Sequence, residues 1–258
     1  MMASGISALG AMVIDWIEGL GRIVLFGMEA LGASVRQLRP RRLLDEIYSI
    51  GVLSLSVITI SGAAVGAVLG LIGYDVLNRF GAEQNLGALV SIALIKELGP
   101  VLTGLLVAGR AGSAVAGEIG SMVATEQLDG IRMMAMDPVD FVVAPKLISF
   151  ILVMPLLSAL FIAFGLTGGY VIGAQLLGVD PGSYVSGIET NISFDDEVAM
   201  SLIKAFVFGT IVGLISTYRG YTAEPNVVGV SRATTASVVA SSVCVLIADY
   251  FVTALWGV

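Results

Sequence analysis

Two adjacent ionisable residues, Lys96 and Glu97, interrupt an apolar stretch that is long enough to cross a membrane. Lys204 and Asp249 interrupt two later apolar stretches. A charged side chain at bilayer depth costs at least about 2.5 to 3.5 kcal/mol on insertion scales, so such residues commonly have a function. An ammonium group binds phosphate well, and a neighbouring carboxylate limits the net charge or pairs with a lysine. These residue types predict either a site for an anionic ligand or an ion pair between two spans.

Other kinds of chemistry are excluded by the composition. The chain has no histidine, which removes Ser-His-Asp and Cys-His sites and any histidine-ligated metal. None of its three lysines, Lys96, Lys146 and Lys204, stands in a P-loop motif, so no nucleotide binds by that route. The single Cys244 lies in an apolar run and reads as a packed side chain. We expect no catalytic residues, no metal and no cofactor, and any driving energy must come from a partner or an ion gradient.

The overall composition predicts an all-α polytopic membrane protein. Apolar residues make up 57% of the 258 residues and charged residues only 13%, against about 25% charged in soluble domains. Apolar stretches of about 20 residues predict five spans. They are Ile47 to Gly73, Leu86 to Gly117, Leu147 to Gly169, Val198 to Tyr218 and Ala233 to Trp256. The third stretch continues uncharged to Val179, and we expect its tail to be an interfacial or re-entrant piece.

The basic residues predict the orientation of the spans. Five arginines precede the first stretch, three basic residues lie from Arg110 to Lys146, and two more separate the fourth and fifth stretches. The opposite side has only Arg79. Because basic loops stay in the cytoplasm, we expect a cytoplasmic N-terminus and, with five spans, a C-terminus outside. The acidic segment from Asp180 to Glu197 then lies outside.

The N-terminal segment, residues 1–43, predicts an interfacial helix and an elbow. Its charged residues are spaced so that they form one polar stripe on a helix, with apolar residues elsewhere. They are Asp15, Glu18, Arg22, Glu29 and Arg36. Such a helix lies in the membrane interface, and the Arg39 to Arg42 corner would turn the chain into the first span. A buried helix of a soluble domain is the alternative.

Small residues recur four apart within the spans, for example Gly62, Gly66 and Gly70. This spacing allows helix backbones to approach closely. It is compatible with packing inside one subunit and with a self-association face. The inverted internal repeat of many secondary transporters is not visible in the sequence.

Two blocks of sequence resemble a known family. Glu97 to Pro138 (ELGPVLTGLLVAGRAGSAVAGEIGSMVATEQLDGIRMMAMDP) closely resembles the MlaE (YrbE) permeases of MCE-type ABC lipid transporters, and Ser231 to Val239 (SRATTASVV) looks like the start of their last span. The resemblance extends from about Leu44 to the end, which we take as a permease domain, 44–258.

The resemblance implies a homodimeric permease in the inner membrane of a Gram-negative bacterium. It would move phospholipids between the inner and outer membranes and so maintain outer-membrane lipid asymmetry. The implied partners are MlaF-type ATPases, a MlaB-type STAS protein and a MlaD-type MCE hexamer, with no nucleic acid. ATP hydrolysis would take place on the separate ATPase subunit.

The segment 118–140 would then couple the permease to its ATPase. Glu126, Asp129 and Arg132 are at helical spacing and can share one helix face. Methionines are adaptable contacts at protein surfaces. The predicted coupling residues are Glu118, Met122, Glu126, Leu128, Asp129, Met133 and Met134. An ordinary amphipathic loop helix remains the alternative, and Arg110 fits a headgroup anchor better than a substrate ligand.

A phospholipid site is expected where Lys96 and Lys204 reach comparable depth in the outer half of the membrane. The two ammonium groups would hold the phosphate, and Glu97 would limit the charge or pair with Lys204. The predicted acyl-chain lining is Leu69, Ile72, Leu77 and Leu98. The alternative is a purely structural Lys204–Glu97 ion pair, with Asp249 forming a hydrogen bond within the bundle.

Two other classes of function stay open, an ion-coupled secondary transporter and a non-transporting scaffold. An ion-coupled secondary transporter would titrate Lys96, Glu97 and Asp249, but it would not need the long segment from Glu118 to Asp140. A non-transporting scaffold would tolerate loss of every intramembrane charge. An intramembrane enzyme lacks the usual nucleophile and base.

Overall fold

Five long helices dominate a computed structural model that describes residues 18–19, 21–32, 40–192 and 194–256. They are span 1 (Pro40–Asn78), span 2 (Glu83–Ala124), span 3 (Val139–Leu176), span 4 (Asp196–Tyr221) and span 5 (Val227–Trp256), all apolar and long enough to cross a membrane. The described ranges contain no strand. The all-α polytopic fold and the five predicted spans are confirmed.

The spans are assembled from α-helical segments. These are α1 (Pro40–Ile50), α2 (Leu55–Asn78), α3 (Leu86–Ala93), α4 (Gly99–Val107), α5 (Ser113–Ala124), α6 (Gln127–Met133), α7 (Ala144–Tyr170), α8 (Pro181–Asn191), α9 (Ala199–Tyr221) and α10 (Val227–Trp256). Residues 21–32 form a further helix. Wider π-helical turns join several segments, at Leu94–Leu98, Ala108–Gly112, Val139–Val143, Val171–Leu176 and Phe194–Val198. Short 3₁₀ turns lie at Val52–Ser54 and Glu83–Asn85.

The two ends of the bundle differ. At one end, which we call the loop end, residues 125–138 join span 2 to span 3 and residues 222–226 join span 4 to span 5. At the other, the hairpin end, a short turn at 79–82 joins spans 1 and 2, and α8 packs against α3. Each of these three connections reverses the direction of the chain, so the two spans that it joins are antiparallel.

Spans 1 and 3 pack backbone against backbone. A Cβ atom added to Gly62 would lie 2.6 Å from the Phe161 carbonyl oxygen, and one added to Gly66 would overlap the Gly165 carbonyl. Only glycine permits this approach, because any side chain would push the helices apart. These glycines therefore serve packing within the chain, which is one of the two alternatives left open by their spacing.

Two expectations about the chain path meet the structure differently. The re-entrant alternative for the uncharged tail after Gly169 is wrong, because α7 continues through the π-helical turn Val171–Leu176 as part of one 38-residue helical stretch, while the interfacial alternative stays a prediction. The described part of the Arg39 to Arg42 corner is not a turn, because Pro40 already begins α1. Proline is well tolerated in the first helical turn, where its missing N–H is not needed.

The helix at 21–32 has three faces. Phe26 and Ala30 are buried against Val139, Val143 and Leu147. The charged residues Arg22 and Glu29 are exposed on a second face, Glu18 is exposed just before the helix, and Asp15 and Arg36 of the predicted stripe lie outside the described residues. An exposed apolar face contains Val24, Leu25, Met28 and Leu31. A helix at a membrane interface has this division into apolar and charged faces.

Candidate functional site

The Lys204 ammonium lies at the centre of a buried ion cluster. Its Nζ is 2.7 Å from Glu97 Oε2 and 2.8 Å from Asp249 Oδ1, and it donates to the Lys96 carbonyl oxygen at 2.9 Å. The Lys204 side chain is completely buried. The contacts with Glu97 and the Lys96 carbonyl are hydrogen bonds, and the contact with Asp249 is an ion pair. Spans 2, 4 and 5 are thus joined at one nitrogen.

The local sequence explains why the Lys96 carbonyl is available to Lys204. In an α-helix this carbonyl would accept from the N–H of residue 100, but residue 100 is proline and has no N–H. The π-helical turn Leu94–Leu98 adds a further irregularity at the same place. In a membrane such backbone groups need a partner from within the protein, and Lys204 supplies it.

Lys96 is oriented differently from Lys204. Its Nζ is 3.2 Å from Glu197 Oε1, and 39% of its side chain is exposed. The cluster therefore contains two ammonium groups and three carboxylates, those of Glu97, Asp249 and Glu197. The headgroup site expected from the sequence, Lys96, Lys204 and Glu97, has a formal charge of +1, whereas the five groups of the cluster have a formal charge of −1.

The residues predicted to line acyl chains occupy the hairpin half of spans 1 and 2. Leu69, Leu77 and Leu98 are partly buried against the main hydrophobic core. Ile72 is 57% exposed on the surface of span 1. They do not form one continuous buried surface in a single chain.

The loop between spans 2 and 3 forms the short helix α6. Glu126 immediately precedes this helix and has a left-handed backbone, with φ of 58°. The prediction that Glu126 shares a helix face with Asp129 and Arg132 is therefore wrong. Leu128 is only 5% exposed and faces its own bundle, and Met122 is partly buried. Met133 and Met134 are 85% and 62% exposed.

The charged residues of α6 are tied to the end of span 4. The Arg132 guanidinium is 2.7 Å from Asp129 Oδ1 and donates to the Tyr221 hydroxyl at 2.8 Å. The hydrogen bond to Tyr221, followed by that to Asp129, raises the pKa of Arg132 above its usual value. Tyr221 also packs on Phe26 with ring centroids 5.4 Å apart. The loop, span 4 and the helix at 21–32 are therefore in contact.

A second buried lysine, Lys146, joins spans 1, 2 and 3 near the loop end. Its side chain is 2% exposed, and its Nζ is 2.8 Å from both Glu46 Oε1 and Glu118 Oε2. Glu118, a predicted coupling residue, is thus also a partner within the chain, although 55% of its side chain is exposed. Sequence reasoning missed this junction, for which the only signal was a lysine at the start of an apolar run.

Arg110 caps a break in span 1. Its Nη1 donates to the Ser49 carbonyl oxygen at 2.6 Å and to Ser54 Oγ at 3.0 Å, where α1 gives way to a 3₁₀ turn. A helix break leaves carbonyl groups without their normal partners, and the guanidinium satisfies them. Neither the headgroup anchor nor the substrate ligand considered from the sequence describes this contact.

Known proteins match the chain over nearly its whole length. The model of the family described as Permease MlaE matches residues 43–255. The intermembrane phospholipid transport system permease protein MlaE of Haemophilus influenzae is 45% identical over 99% of this chain and 98% of its own. A probable ABC transporter permease protein of Rickettsia typhi is 35% identical over 99% of this chain and 98% of its own. The chloroplastic protein TRIGALACTOSYLDIACYLGLYCEROL 1 of Arabidopsis thaliana is 29% identical over 90% of this chain and 66% of its own. With the family model matching most of its residues and a full-length relative at this identity, the chain belongs to the MlaE permease family.

Proposed function

We propose that this chain is the permease subunit of an ABC transporter that moves phospholipids between the inner and outer membranes and maintains outer-membrane lipid asymmetry. The observation that carries the proposal is family membership over residues 43–255, where a relative 45% identical is named a phospholipid transport permease. The ion cluster within the spans would form the lipid site, and the exposed loop at one end would form the docking site for the ATPase. ATP hydrolysis belongs to a separate subunit.

The proposed complex is a homodimer of this chain with MlaF-type ATPases, a MlaB-type STAS protein and a MlaD-type MCE hexamer. The distribution of basic residues favours a cytoplasmic loop end and an inner-membrane location. The exposed apolar face of the helix at 21–32 is suited to contact a membrane anchor of the MCE partner. The C-terminus then lies in the periplasm.

The ATPase would dock on the loop end through Met133 and Met134. Two methionines with most of their surface exposed at a water-facing end are costly unless a partner covers them. Glu126 and Asp129 are also exposed and would face the same partner, whereas Leu128 supports α6 from below. The hydrogen bond from Arg132 to Tyr221 fixes α6 against span 4, and a docking surface for the ATPase would need such a fixed position.

Substituting the docking surface tests this assignment. We expect Met133→Asp and Glu126→Lys to reduce ATPase co-purification and transport while leaving the amount of folded permease unchanged. Phe80→Asp is a matched control, because Phe80 is 81% exposed at the hairpin end. Full ATPase association in both loop variants would remove the docking role.

The phospholipid site would lie beside Lys96, whose ammonium is accessible, with Leu69, Ile72, Leu77 and Leu98 contacting acyl chains. Lys204 would shape this site from its buried side, and Glu97, which pairs with Lys204 and is 42% exposed, would border it. The sequence predicted that Lys96 and Lys204 both hold the phosphate. We now propose that Lys96 alone does so, because Lys204 is buried. We expect Lys96→Ala to reduce the phospholipid recovered with the purified complex.

The function as a whole is tested by reconstituting the complex with donor and acceptor vesicles and following labelled phospholipid. Transport should require ATP and cease when the ATPase subunit is inactivated. Transport that persists without ATP and follows a proton or sodium gradient would instead identify an ion-coupled secondary transporter. A complex that assembles but moves no lipid under either condition would identify a scaffold.

A further inference from the structure

The accessible side of the ion cluster presents both signs of charge. The Lys204 ammonium contacts Glu97, Asp249 and the Lys96 carbonyl at 2.7, 2.8 and 2.9 Å, and its side chain is completely buried, so a ligand cannot reach it. Lys96 has a 39% exposed side chain and a single ion-pair distance of 3.2 Å, to Glu197. Among the charged groups that form the cluster, Lys96 is the only cation that a ligand can reach.

A carboxylate is exposed next to this ammonium. The Glu97 side chain is 42% exposed, although its Oε2 contacts Lys204. Its Oε1 accepts only a long 3.3 Å hydrogen bond from Thr253. Lys96 and Glu97 are consecutive residues of one π-helical turn, and 39% and 42% of their side chains are exposed.

The charge balance distinguishes between headgroups. With three carboxylates and two ammonium groups, the cluster has an excess negative charge before any ligand binds. A headgroup with only a phosphate would add a second negative charge without a cation to offset it. A headgroup that also has an ammonium group supplies that cation itself.

Resting on the proposed function, we infer that the site prefers a zwitterionic headgroup, with its phosphate on Lys96 and its ammonium on the exposed carboxylate of Glu97, over a headgroup whose only charge is the phosphate. The distance between phosphate and amine in an ethanolamine headgroup is short, which suits two adjacent residues of one helical turn. Glu197, on the far side of Lys96, adds to the negative potential. Selectivity then comes from the carboxylates, and affinity for any phospholipid comes from Lys96.

The test uses the purified complex in nanodiscs that contain equal amounts of phosphatidylethanolamine and phosphatidylglycerol. After extraction into lipid-free detergent, mass spectrometry measures how much of each lipid stays bound. We expect phosphatidylethanolamine to be retained about tenfold over phosphatidylglycerol, the ratio that one charge-assisted hydrogen bond of modest strength gives. Equal retention, or an excess of phosphatidylglycerol, would overturn the inference.

Variants separate this inference from the proposed function. Glu97→Gln should bring the lipid ratio close to one, whereas Glu189→Gln, which removes an exposed carboxylate elsewhere at the hairpin end, should keep the parent's ratio. If Glu97→Gln does not fold, Glu197→Gln should lower the same ratio. Lys96→Met should reduce both lipids equally, and Lys96→Arg should restore them. Unchanged lipid in Lys96→Met would remove the proposed headgroup site itself, whereas an unchanged ratio in Glu97→Gln with Lys96 essential would remove only the headgroup preference.

Discussion

Replacing Lys204 by methionine should destabilise the protein far more than the same change at Lys96. Methionine has a similar length but no charge, so Lys204→Met leaves the carboxylates of Glu97 and Asp249 facing each other without their cation. It also leaves the Lys96 carbonyl without a donor. Two consequences follow: like charges repel at bilayer depth, and a backbone acceptor stays unsatisfied.

The size of the effect can be worked out from burial. Removing one partner of a buried ion pair costs about 3 to 5 kcal/mol. Glu97 and Asp249 have 42% and 20% of their side chains exposed, so partial hydration moves the expected loss to the lower end, about 3 kcal/mol. For a chain of this length that corresponds to a melting temperature lower by about 6 to 12 °C. Lys96→Met removes a cation that is already accessible and should cost about 1 kcal/mol or less.

Thermal unfolding of the purified permease in detergent, followed by loss of soluble monodisperse protein, measures both variants. The triple variant Lys204→Met with Glu97→Gln and Asp249→Asn removes all three charges and should recover most of the lost stability. If Lys204→Met unfolds at the same temperature as Lys96→Met, the cluster does not hold the spans together. A triple variant no more stable than the single one would show that the unpaired carboxylates are not the cause.

Three further predictions concern the bundle outside the cluster. Gly66→Ala should destabilise by about 1 to 3 kcal/mol because its Cβ meets the Gly165 carbonyl, whereas Gly109→Ala, with no atom near its added Cβ, should not destabilise; thermal unfolding of both decides. Lys146→Met should lower stability and the lipid moved per ATP, and neutralising both of its carboxylate partners as well should restore stability. Burial raises the pKa of Tyr184 to about 12, so the folded state keeps a proton that the unfolded state loses near pH 10. Stability should therefore fall between pH 10 and 12, and fall less steeply in Tyr184→Phe, as alkaline unfolding curves would record.

The number and order of the spans could be predicted from sequence because hydropathy alone decides which segments enter a bilayer. The residues at which the helices begin and end could not be predicted in this way. Span 1 begins at Pro40, before the charged residues Arg41 to Glu46, since a helix continues into water wherever its backbone hydrogen bonds persist. Hydropathy detects the membrane boundary, which differs from the end of the helix.

The charge cluster could be predicted in part. Comparable depth placed Lys204 near Glu97, and the ion pair between them was one of the two alternatives. The participation of Asp249 and Glu197 depends on how spans 2, 4 and 5 are rotated about their axes, and π-helical turns change that rotation locally in spans 2 and 4. No single-sequence periodicity contains this information, so the sign of the net charge was misjudged.

Span 2 combines both candidate sites, because Lys96 and Glu97 lie in its hairpin half and Glu118 lies next to the loop. It is not a uniform rod between them, since π-helical turns divide it at Leu94–Leu98 and Ala108–Gly112. Helices bend at such turns. Each section is fixed to a neighbouring span by one charged side chain: Lys204 holds the Lys96 carbonyl, Arg110 holds span 1, and Lys146 holds Glu118. Three charged side chains therefore hold span 2 in place between the loop and the cluster, one for each of its sections.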